Sequence, residues 1–128
     1  MNVDGYIYLQ QVRAIALALP GVTEGPCHGT PGFRVHRKLL ARIKEDGETL
    51  AIRTQERDKW LQAAPDIFFL TDHYLNYPMM LVHLSKVNQQ DLAALFLAAW
   101  KERAPKKLVQ TYETAEGMLK QGHRRKGG

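Results

Sequence analysis

Three short segments of alternating side chains, separated by turns, are the feature that most constrains the fold. They cover residues 33–37, 39–44 and 49–53. In the middle segment positions 39, 41 and 43 alternate with 40, 42 and 44, the period of two that puts successive side chains on opposite faces of a strand. Asp46-Gly47, between the last two segments, is a strong hairpin-turn signal. The segments therefore predict adjacent antiparallel strands.

Helices are predicted on both sides of these strands. Apolar residues at 9, 12, 16 and 19 recur at spacings of three and four, which marks one face of a helix over residues 6–19. A short helix is expected over 55–63. Asn88, with Asp91 three positions later, is typical of a helix start, because an N-cap side chain and a carboxylate both suit the positive helix end. Pro105 interrupts this helix, and a further amphipathic segment follows.

The remaining segments complete the predicted order. Glycine and proline at 25–32 predict a turn region in which neither a helix nor a long strand persists. The apolar run 67–70 predicts a central strand covered on both faces, and 79–85 predicts the last strand. The order is helix, three strands, helix, two strands, helix. Hairpin-length connections favour an α+β two-layer sandwich, with an antiparallel sheet of about five strands and helices on one face.

Several short motifs in a fixed order carry a family resemblance. They are LPGVTEG at 19–25, HGTPGFRV at 28–35, DIFFL at 66–70, AWK at 99–101 and APK at 104–106. In this order the chain resembles the MmcQ/YjbR family of small bacterial proteins. The resemblance implies a YjbR-like fold related to secretion-chaperone-like folds, and a DNA-binding role with no catalytic residues.

Charge is concentrated at one end of the chain. Of the net charge of +5, residues 117–128 contribute four positive charges and no acid. The rest of the chain is nearly neutral, so the high isoelectric point is mostly a property of this end. We expect one domain over residues 1–121 and a basic flexible tail over 122–128. Basic tails often contact nucleic acid or other polyanions, although many are only solvated.

Composition limits the location and the chemistry. Cys27 is the only cysteine, so an intrachain disulfide is excluded and a cytoplasmic location is expected. No signal peptide and no membrane span are expected. The sequence has no glycine-rich phosphate loop, no zinc-ligand spacing and no nucleophile elbow. Cys27-His28 offers a thiol beside an imidazole, but neighbouring strand side chains point apart, which favours a structural cysteine. We predict no enzyme activity, no metal and no cofactor.

A basic face is predicted on the side of the sheet away from the helices. If Val35, Ile43 and Ile52 face the core, basic residues of the same strands face outward, and Met79 and Leu81 join them from the last strand. Such a face could bind phosphates without sequence specificity, or it could simply solvate the sheet. The residues of this hypothesis, with the tail, are Arg34, His36, Arg42, Lys44, Arg53, His83, Arg124, Arg125 and Lys126.

A second candidate site is the loop over residues 73–78. Its tyrosines, histidine and asparagine are typical recognition groups, and they serve equally well to cover the edge of a core. The hypothesis is a small pocket or partner surface completed by Arg34 and His36. Its other members are Trp60, His73, Tyr74, Asn76 and Tyr77.

Two function classes therefore stay open at the sequence level. The first is a DNA-binding protein that contacts phosphates through the basic face and the tail. The alternative is a non-catalytic module that binds a protein, a second copy of the chain or a small ligand. Salt dependence of binding separates them, because contacts to phosphates weaken steeply as salt rises.

Overall fold

A six-stranded antiparallel sheet organises the computed structural model, which describes the backbone of residues 3–127 and the side chains of residues 4–118. The strand order is β1-β2-β3-β4-β6-β5, and every neighbouring pair is antiparallel. In chain order the elements are α1 (Val3–Ala16), β1 (Val22–Cys27), β2 (Thr30–Val35), β3 (Lys38–Ile43), β4 (Thr49–Arg53), α2 (Arg57–Ala63), β5 (Phe68–Phe69), a 3₁₀ turn (Asp72–Tyr74), β6 (Met79–His83), α3 (Gln89–Arg103) and α4 (Lys106–Gly127).

The predicted α+β sandwich is confirmed, with six strands instead of about five. The additional strand is β1, which pairs with β2 from Val22 opposite Val35 to Cys27 opposite Thr30. The turn expected within 25–32 lies at His28 and Gly29, but strands reach into this stretch from both sides, since β1 ends at Cys27 and β2 begins at Thr30. Because β1 lies at the edge of the sheet, Pro26 can lack its amide hydrogen without breaking a ladder on both sides.

The prediction of a central strand at 67–70 was wrong. β5 contains only Phe68 and Phe69 and lies at the opposite edge of the sheet, beside β6. Phe68 is buried, and the Trp60 ring of α2 contacts it edge-on at 5.1 Å between centroids. The apolar run therefore closes the edge of the core instead of crossing the centre of the sheet.

Two tight hairpin turns hold non-glycine residues in the left-handed region. The turn between β1 and β2 has His28 at φ 53° and Gly29 at φ 81°. The turn between β2 and β3 has His36 at φ 47° and Arg37 at φ 69°. A strand continuing to residue 37 was therefore an incorrect prediction, and His36 lies in a turn instead of on the sheet face. Positive φ at both positions suits a two-residue hairpin, but it strains residues that carry a Cβ.

A β-bulge in β3 changes which residues face the core. Phe33 pairs with Ala41 while Arg34 pairs with Leu39, so Leu40 is the extra residue. Leu40 is fully buried in the core cluster, and Leu39 turns to the other face. The strict alternation predicted for 39–44 therefore holds only after the bulge.

The core lies between the sheet and the helices. Phe33 of β2 meets Phe96 of α3 edge-on at 6.2 Å, and both are fully buried. Trp100 is also fully buried and donates its indole N–H to the Pro20 carbonyl at 2.8 Å. The predicted start of α3 is confirmed, because the Asn88 side chain accepts from the Asp91 amide. Val35, Ile43 and Ile52 belong to this core, as predicted.

The last helix follows α3 after a single short break. The Tyr112 ring of α4 contacts Trp100 at 5.1 Å between centroids, which joins the start of this helix to the core. The backbone of α4 continues to Gly127, beyond residue 122, where the sequence predicts the flexible tail to begin. Among the described residues, no helix has the length and apolar character needed to cross a membrane.

Candidate functional site

A pocket of about 550 Å³ lies on the face of the sheet opposite the helices. The strands provide its floor through Leu39, Ala51 and Met79, which have small or apolar side chains. The basic residues Arg42 and Lys44 of β3 and its extension form one side. Cys27 and His28, at the first hairpin, and three residues of the 72–78 loop complete the wall. These loop residues are His73, Tyr74 and Tyr77. We call this the open-face pocket.

Arg42 is the charged group most deeply placed in this wall. It is only 8% exposed, and its Nη1 donates to the Thr30 hydroxyl at 3.0 Å. Thr30 in turn donates to the Cys27 carbonyl at 3.0 Å, so the hydroxyl ties the hairpin to the guanidinium. Arg42 Nη2 lies 2.9 Å from the Glu45 carboxylate. A buried guanidinium needs such partners, because an unpaired charge is costly to remove from water.

Lys44 joins the sheet to the loop that forms the opposite wall. Its Nζ lies 3.1 Å from the Tyr74 hydroxyl and 5.2 Å from the centroid of the same ring. Glu45 Oε1 is 3.9 Å away, at the outer limit of an ion pair. The ammonium is therefore held at the pocket by an aromatic ring and one hydroxyl, and Glu45 is its one carboxylate neighbour among the ion pairs of the described side chains.

Arg57 of α2 positions the loop that carries the pocket tyrosines. Its guanidinium donates to the carbonyl oxygens of residues 74, 75, 77 and 79, at distances of 3.0, 2.7, 2.6 and 3.3 Å. The planar fork of arginine can satisfy several acceptors at once. One side chain thus fixes the path of the loop, although it does not line the open-face pocket itself.

The structure divides the predicted basic face. Arg42 and Lys44 line the pocket, whereas Arg53 turns to α3, where its Nε lies 2.7 Å from Glu102. Burial acts to raise the pKa of Glu102, but hydrogen bonds from Gln55 and Arg53 outweigh it and hold that pKa below its usual value. Arg34 is half-buried and donates to the Pro26 carbonyl at 3.4 Å. Three of the four predicted face cations therefore have a carboxylate within ion-pair distance, at 2.9 Å for Arg42, 2.7 Å for Arg53 and 3.9 Å for Lys44.

The histidines of the basic face lie outside the pocket. His36 occupies the exposed turn between β2 and β3. His83 stacks on Phe69 at 4.4 Å between ring centroids, and its Nδ1 lies 3.8 Å from Glu48. This nitrogen has no hydrogen-bond partner among the described residues. The side chains of Arg124, Arg125 and Lys126 lie outside those that the structure describes.

The second predicted site is also divided. His73, Tyr74 and Tyr77 line the open-face pocket, and Tyr77 forms part of its rim with 54% of its surface exposed. Asn76 instead lines a separate polar cleft of about 390 Å³ beside Arg57. Trp60 packs against the edge of the core, so the edge-packing alternative holds for this residue.

An exposed apolar strip on the sheet face was an incorrect expectation. Leu81 is only 3% exposed, and Met79 is half-buried at the pocket. Both were predicted to face outward on β6, and Met79 does so at the pocket.

Several residues of the site could not be identified from the sequence. The apolar floor at 39, 51 and 79 comes from three strands, and Leu39 reaches it only because of the bulge. His28 is placed there by the hairpin turn. Arg57 has no motif, because its partners are carbonyls about twenty positions away. Within residues 4–118 no cluster of three or more potential metal ligands occurs.

Fold and site together define an α+β domain with one face packed by helices and a ligand-sized pocket on the other. The sequence profile of the YjbR family matches residues 17–102, so the chain belongs to the YjbR family. This confirms the family resemblance seen in the sequence motifs.

Two mycobacterial relatives share part of the sequence, and their names assign no function. "Uncharacterized protein Rv2570" of Mycobacterium tuberculosis and "Uncharacterized protein Mb2600" of Mycobacterium bovis are each 33% identical over 76 residues. The match covers 59% of this chain and 53% of theirs, so the chain spans about half the length of these relatives.

A solved structure shows the same fold. The Deinococcus radiodurans protein DR2400, a DUF419 domain, superposes with a TM-score of 0.60 at 22% identity. The match covers 72% of this chain and 75% of that one.

Proposed function

We propose that the protein is a non-catalytic binding module that holds a small amphiphilic molecule in the open-face pocket. The observation that carries this proposal is the pocket itself, with a volume of about 550 Å³, an apolar floor and a few polar groups at its wall. Small-molecule sites usually have this size and this combination of surfaces. Tyr74 and Tyr77 are suited to contact a flat ligand, because a tyrosine offers an apolar ring and a polar end.

The side chains at the pocket support binding more than catalysis. Thr30, the hydroxyl nearest to Arg42, donates to a main-chain carbonyl and accepts from the guanidinium, so it is engaged as a turn residue. A nucleophile would need an adjacent base to activate it. Cys27 is buried while the neighbouring His28 is exposed in the hairpin turn. At this pocket, the hydrogen bonds of the described residues link neither the Thr30 hydroxyl nor the Cys27 thiol to a side-chain base.

The test uses a neutral aromatic probe, N-phenyl-1-naphthylamine, whose fluorescence rises in apolar sites. We expect a saturable rise with the full chain. Ala51→Leu should abolish it, because the added side chain fills the floor of the pocket, and Leu39→Trp provides a second way to fill it. Leu17→Ala, at an exposed position just after the end of α1, is the matched control and should bind as the wild type does. A rise that persists in both filled variants, folded by circular dichroism, would refute the proposal.

DNA binding is a second candidate, favoured by the charge at the end of the chain. Residues 117–128 carry four of the five net positive charges, and the backbone of this segment belongs to α4 through residue 127. Phosphate contacts need such clustered cations, and they require no sequence-specific groups. The ion pairing of Arg42 and Arg53 weakens the sheet face as the alternative contact surface.

A salt series of fluorescence anisotropy with labelled duplex DNA tests this candidate. We expect weak binding that falls steeply with salt and is lost when Arg124, Arg125 and Lys126 are all changed to Gln. Arg34→Gln, on the sheet face, is the matched control for loss of a cation elsewhere. Binding that survives the triple change but not Arg34→Gln would place the contact on the sheet. No binding by the wild type at low salt would eliminate this candidate.

A further inference from the structure

We infer that the open-face pocket takes a small organic anion and that Glu45 lowers its affinity by holding the two cations that would bind it. This inference rests on the proposed small-molecule function and adds the chemical class of the ligand. It also assigns a role in ligand selection to Glu45, a residue that does not itself line the pocket.

The charged residues that line the pocket are of one sign. Arg42 and Lys44 are both cationic and both line the wall, and none of the lining residues is acidic. Arg42 is nearly buried, so its charge acts where water is partly excluded and electrostatic attraction is stronger. A neutral ligand would make no ionic contact with these two side chains, whereas a carboxylate, sulfonate or phosphate could pair with both.

Lys44 has donors left for such a ligand. An ammonium group has three N–H donors, and one of them serves the Tyr74 hydroxyl. The contact of its Nζ with Glu45, at 3.9 Å, is longer than a hydrogen bond. An anion above the floor of the pocket can therefore take a short charge-assisted hydrogen bond from Lys44 without removing Tyr74.

Glu45 is the group that competes with this anion. Its carboxylate contacts Arg42 at 2.9 Å and lies near Lys44, but 62% of its side chain is exposed. The nearly buried Arg42 needs an anionic partner, and an anion in the pocket would replace Glu45 in that role, so the exposed Glu45 carboxylate can return to water. Thr30 would keep its hydrogen bond to Arg42 when Glu45 leaves, which maintains the guanidinium in place.

The body of the ligand should be flat and apolar. Leu39, Ala51 and Met79 form a floor without polar atoms in their side chains, apart from the weakly polar Met79 sulfur, and the Tyr74 ring stands beside Lys44. A molecule of one to three rings with an anionic substituent fits both this floor and the cations. The inferred class is therefore an aromatic carboxylate, sulfonate or phosphate.

Two probes with the same hydrocarbon skeleton separate the inference from the proposed function. N-phenyl-1-naphthylamine is neutral, and 8-anilinonaphthalene-1-sulfonate is the same skeleton with one sulfonate. Their dissociation constants are measured by fluorescence with the full-length wild type, Glu45→Gln, Lys44→Met and Lys44→Arg. Glu48→Gln is the matched control, because it removes the same charge from the same hairpin but contacts Ser85 instead of the two cations.

We expect the sulfonate to bind more tightly than the neutral probe. Glu45→Gln should strengthen sulfonate binding about two- to fivefold, the size typical of removing a competing exposed ion pair. Lys44→Met should weaken it by about tenfold through loss of a charge-assisted hydrogen bond, and Lys44→Arg should retain most of it. The neutral probe should change little with Glu45→Gln, and Glu48→Gln should resemble the wild type for both probes.

The possible failures are distinguishable. If both probes bind in the pocket with equal affinity and Glu45→Gln has no effect on either, the anion inference is overturned while the binding function stands. If Glu48→Gln strengthens sulfonate binding as much as Glu45→Gln does, the effect is one of net charge and the role of Glu45 is refuted. If neither probe binds the wild type, both the proposed function and the inference fail.

Discussion

The two faces of the sheet are built from different kinds of contact. On the helix-covered face, Phe33, Phe96 and Trp100 are fully buried and meet other rings. On the open face, burial is achieved by the polar contacts of Arg42 and by a loop fixed through the guanidinium of Arg57. The first face gains its stability from apolar area, which depends little on pH or salt. The second depends on charged groups that a ligand can also use.

The same strands carry both faces, so this difference assigns stability mainly to the helix-covered face and binding mainly to the open face. Changes on the helix-covered face should alter the free energy of unfolding most strongly. Changes on the open face should alter local order and binding, with smaller effects on global stability. Four predictions test this separation, from the largest expected effect to the smallest.

The largest effect is expected for Trp100→Ala. The substitution removes a fully buried ring and leaves the Pro20 carbonyl without its donor. We expect the free energy of unfolding to fall by about 3–5 kcal/mol, as is usual for large-to-small changes at aromatic core positions. Urea denaturation followed by circular dichroism measures this. A loss below about 1 kcal/mol would show that the core can collapse around the gap.

Arg57→Met should loosen the open face without unfolding the core. Four main-chain carbonyls lose the Arg57 donor, and only those of Tyr74 and Tyr77 keep a backbone N–H within the loop. We therefore expect a local cost of about 1–3 kcal/mol and at least tenfold faster amide exchange over residues 74–79. Hydrogen exchange read by NMR compares these amides with those of β3 and β4, which should be unchanged. Arg57→Lys keeps the charge but not the fork, and should give an intermediate rate. Unchanged exchange over the loop would mean that other contacts hold it.

Asp46→Asn should lower stability in a pH-dependent way. Burial acts to raise the pKa of Asp46, but hydrogen bonds from Thr49 and the Glu48 amide outweigh it, so this pKa lies below its usual value of 3.8. A carboxyl whose pKa is depressed on folding stabilises the protein above its unfolded pKa and loses that effect as the pH falls through the folded value. We expect a cost of about 1 kcal/mol at pH 7.

The pH profile of the Asp46→Asn difference is the decisive measurement. The gap in unfolding free energy between wild type and variant should be constant at neutral pH and shrink as the pH falls below about 4. Thr49→Val, which removes only the hydroxyl, provides a smaller change at the same turn. A gap that is independent of pH down to 2 would contradict the hydrogen-bonded carboxylate described here.

The smallest effect is a gain. Replacing His36-Arg37 by Asn-Gly puts residues that favour positive φ into a turn that requires it at both positions. We expect stability to rise by about 0.5–1 kcal/mol. Thermal unfolding measures the gain, with Lys38→Ala as a control for the loss of positive charge beside the turn. A loss of stability would mean that contacts of His36 or Arg37 hold the turn in place.

Local patterns predicted the helix-covered face well. The alternation that assigns Val35, Ile43 and Ile52 to the core depends on neighbours two positions apart, and the cap of α3 depends on residues three apart. Such short-range features are present in the sequence itself. β1 was missed because proline and glycine argue against a strand, while their cost depends on whether the strand lies at an edge. Edge position is a property of the whole sheet.

The open-face pocket could be predicted only in part. Arg42 and Lys44 were identified from alternation, and Tyr74 and Tyr77 from the composition of their loop, but as two separate sites. The hydrogen bond between Lys44 and Tyr74 brings these two predicted sites together, and the two residues are thirty positions apart in the sequence. The ion pair of Arg53 with Glu102 is likewise tertiary, and no spacing rule indicates that Arg53 would turn to α3.

The bulge at Leu40 has a consequence for how insertions and deletions are tolerated. Because it shifts the pleat by one residue, the segment before it and the segment after it are out of phase. A deletion of Leu40 would restore the phase and leave Leu39 on the pocket face, but it would remove a fully buried side chain from the core. Relatives that lack one residue at this point should therefore differ in core packing and stability while keeping the floor of the pocket.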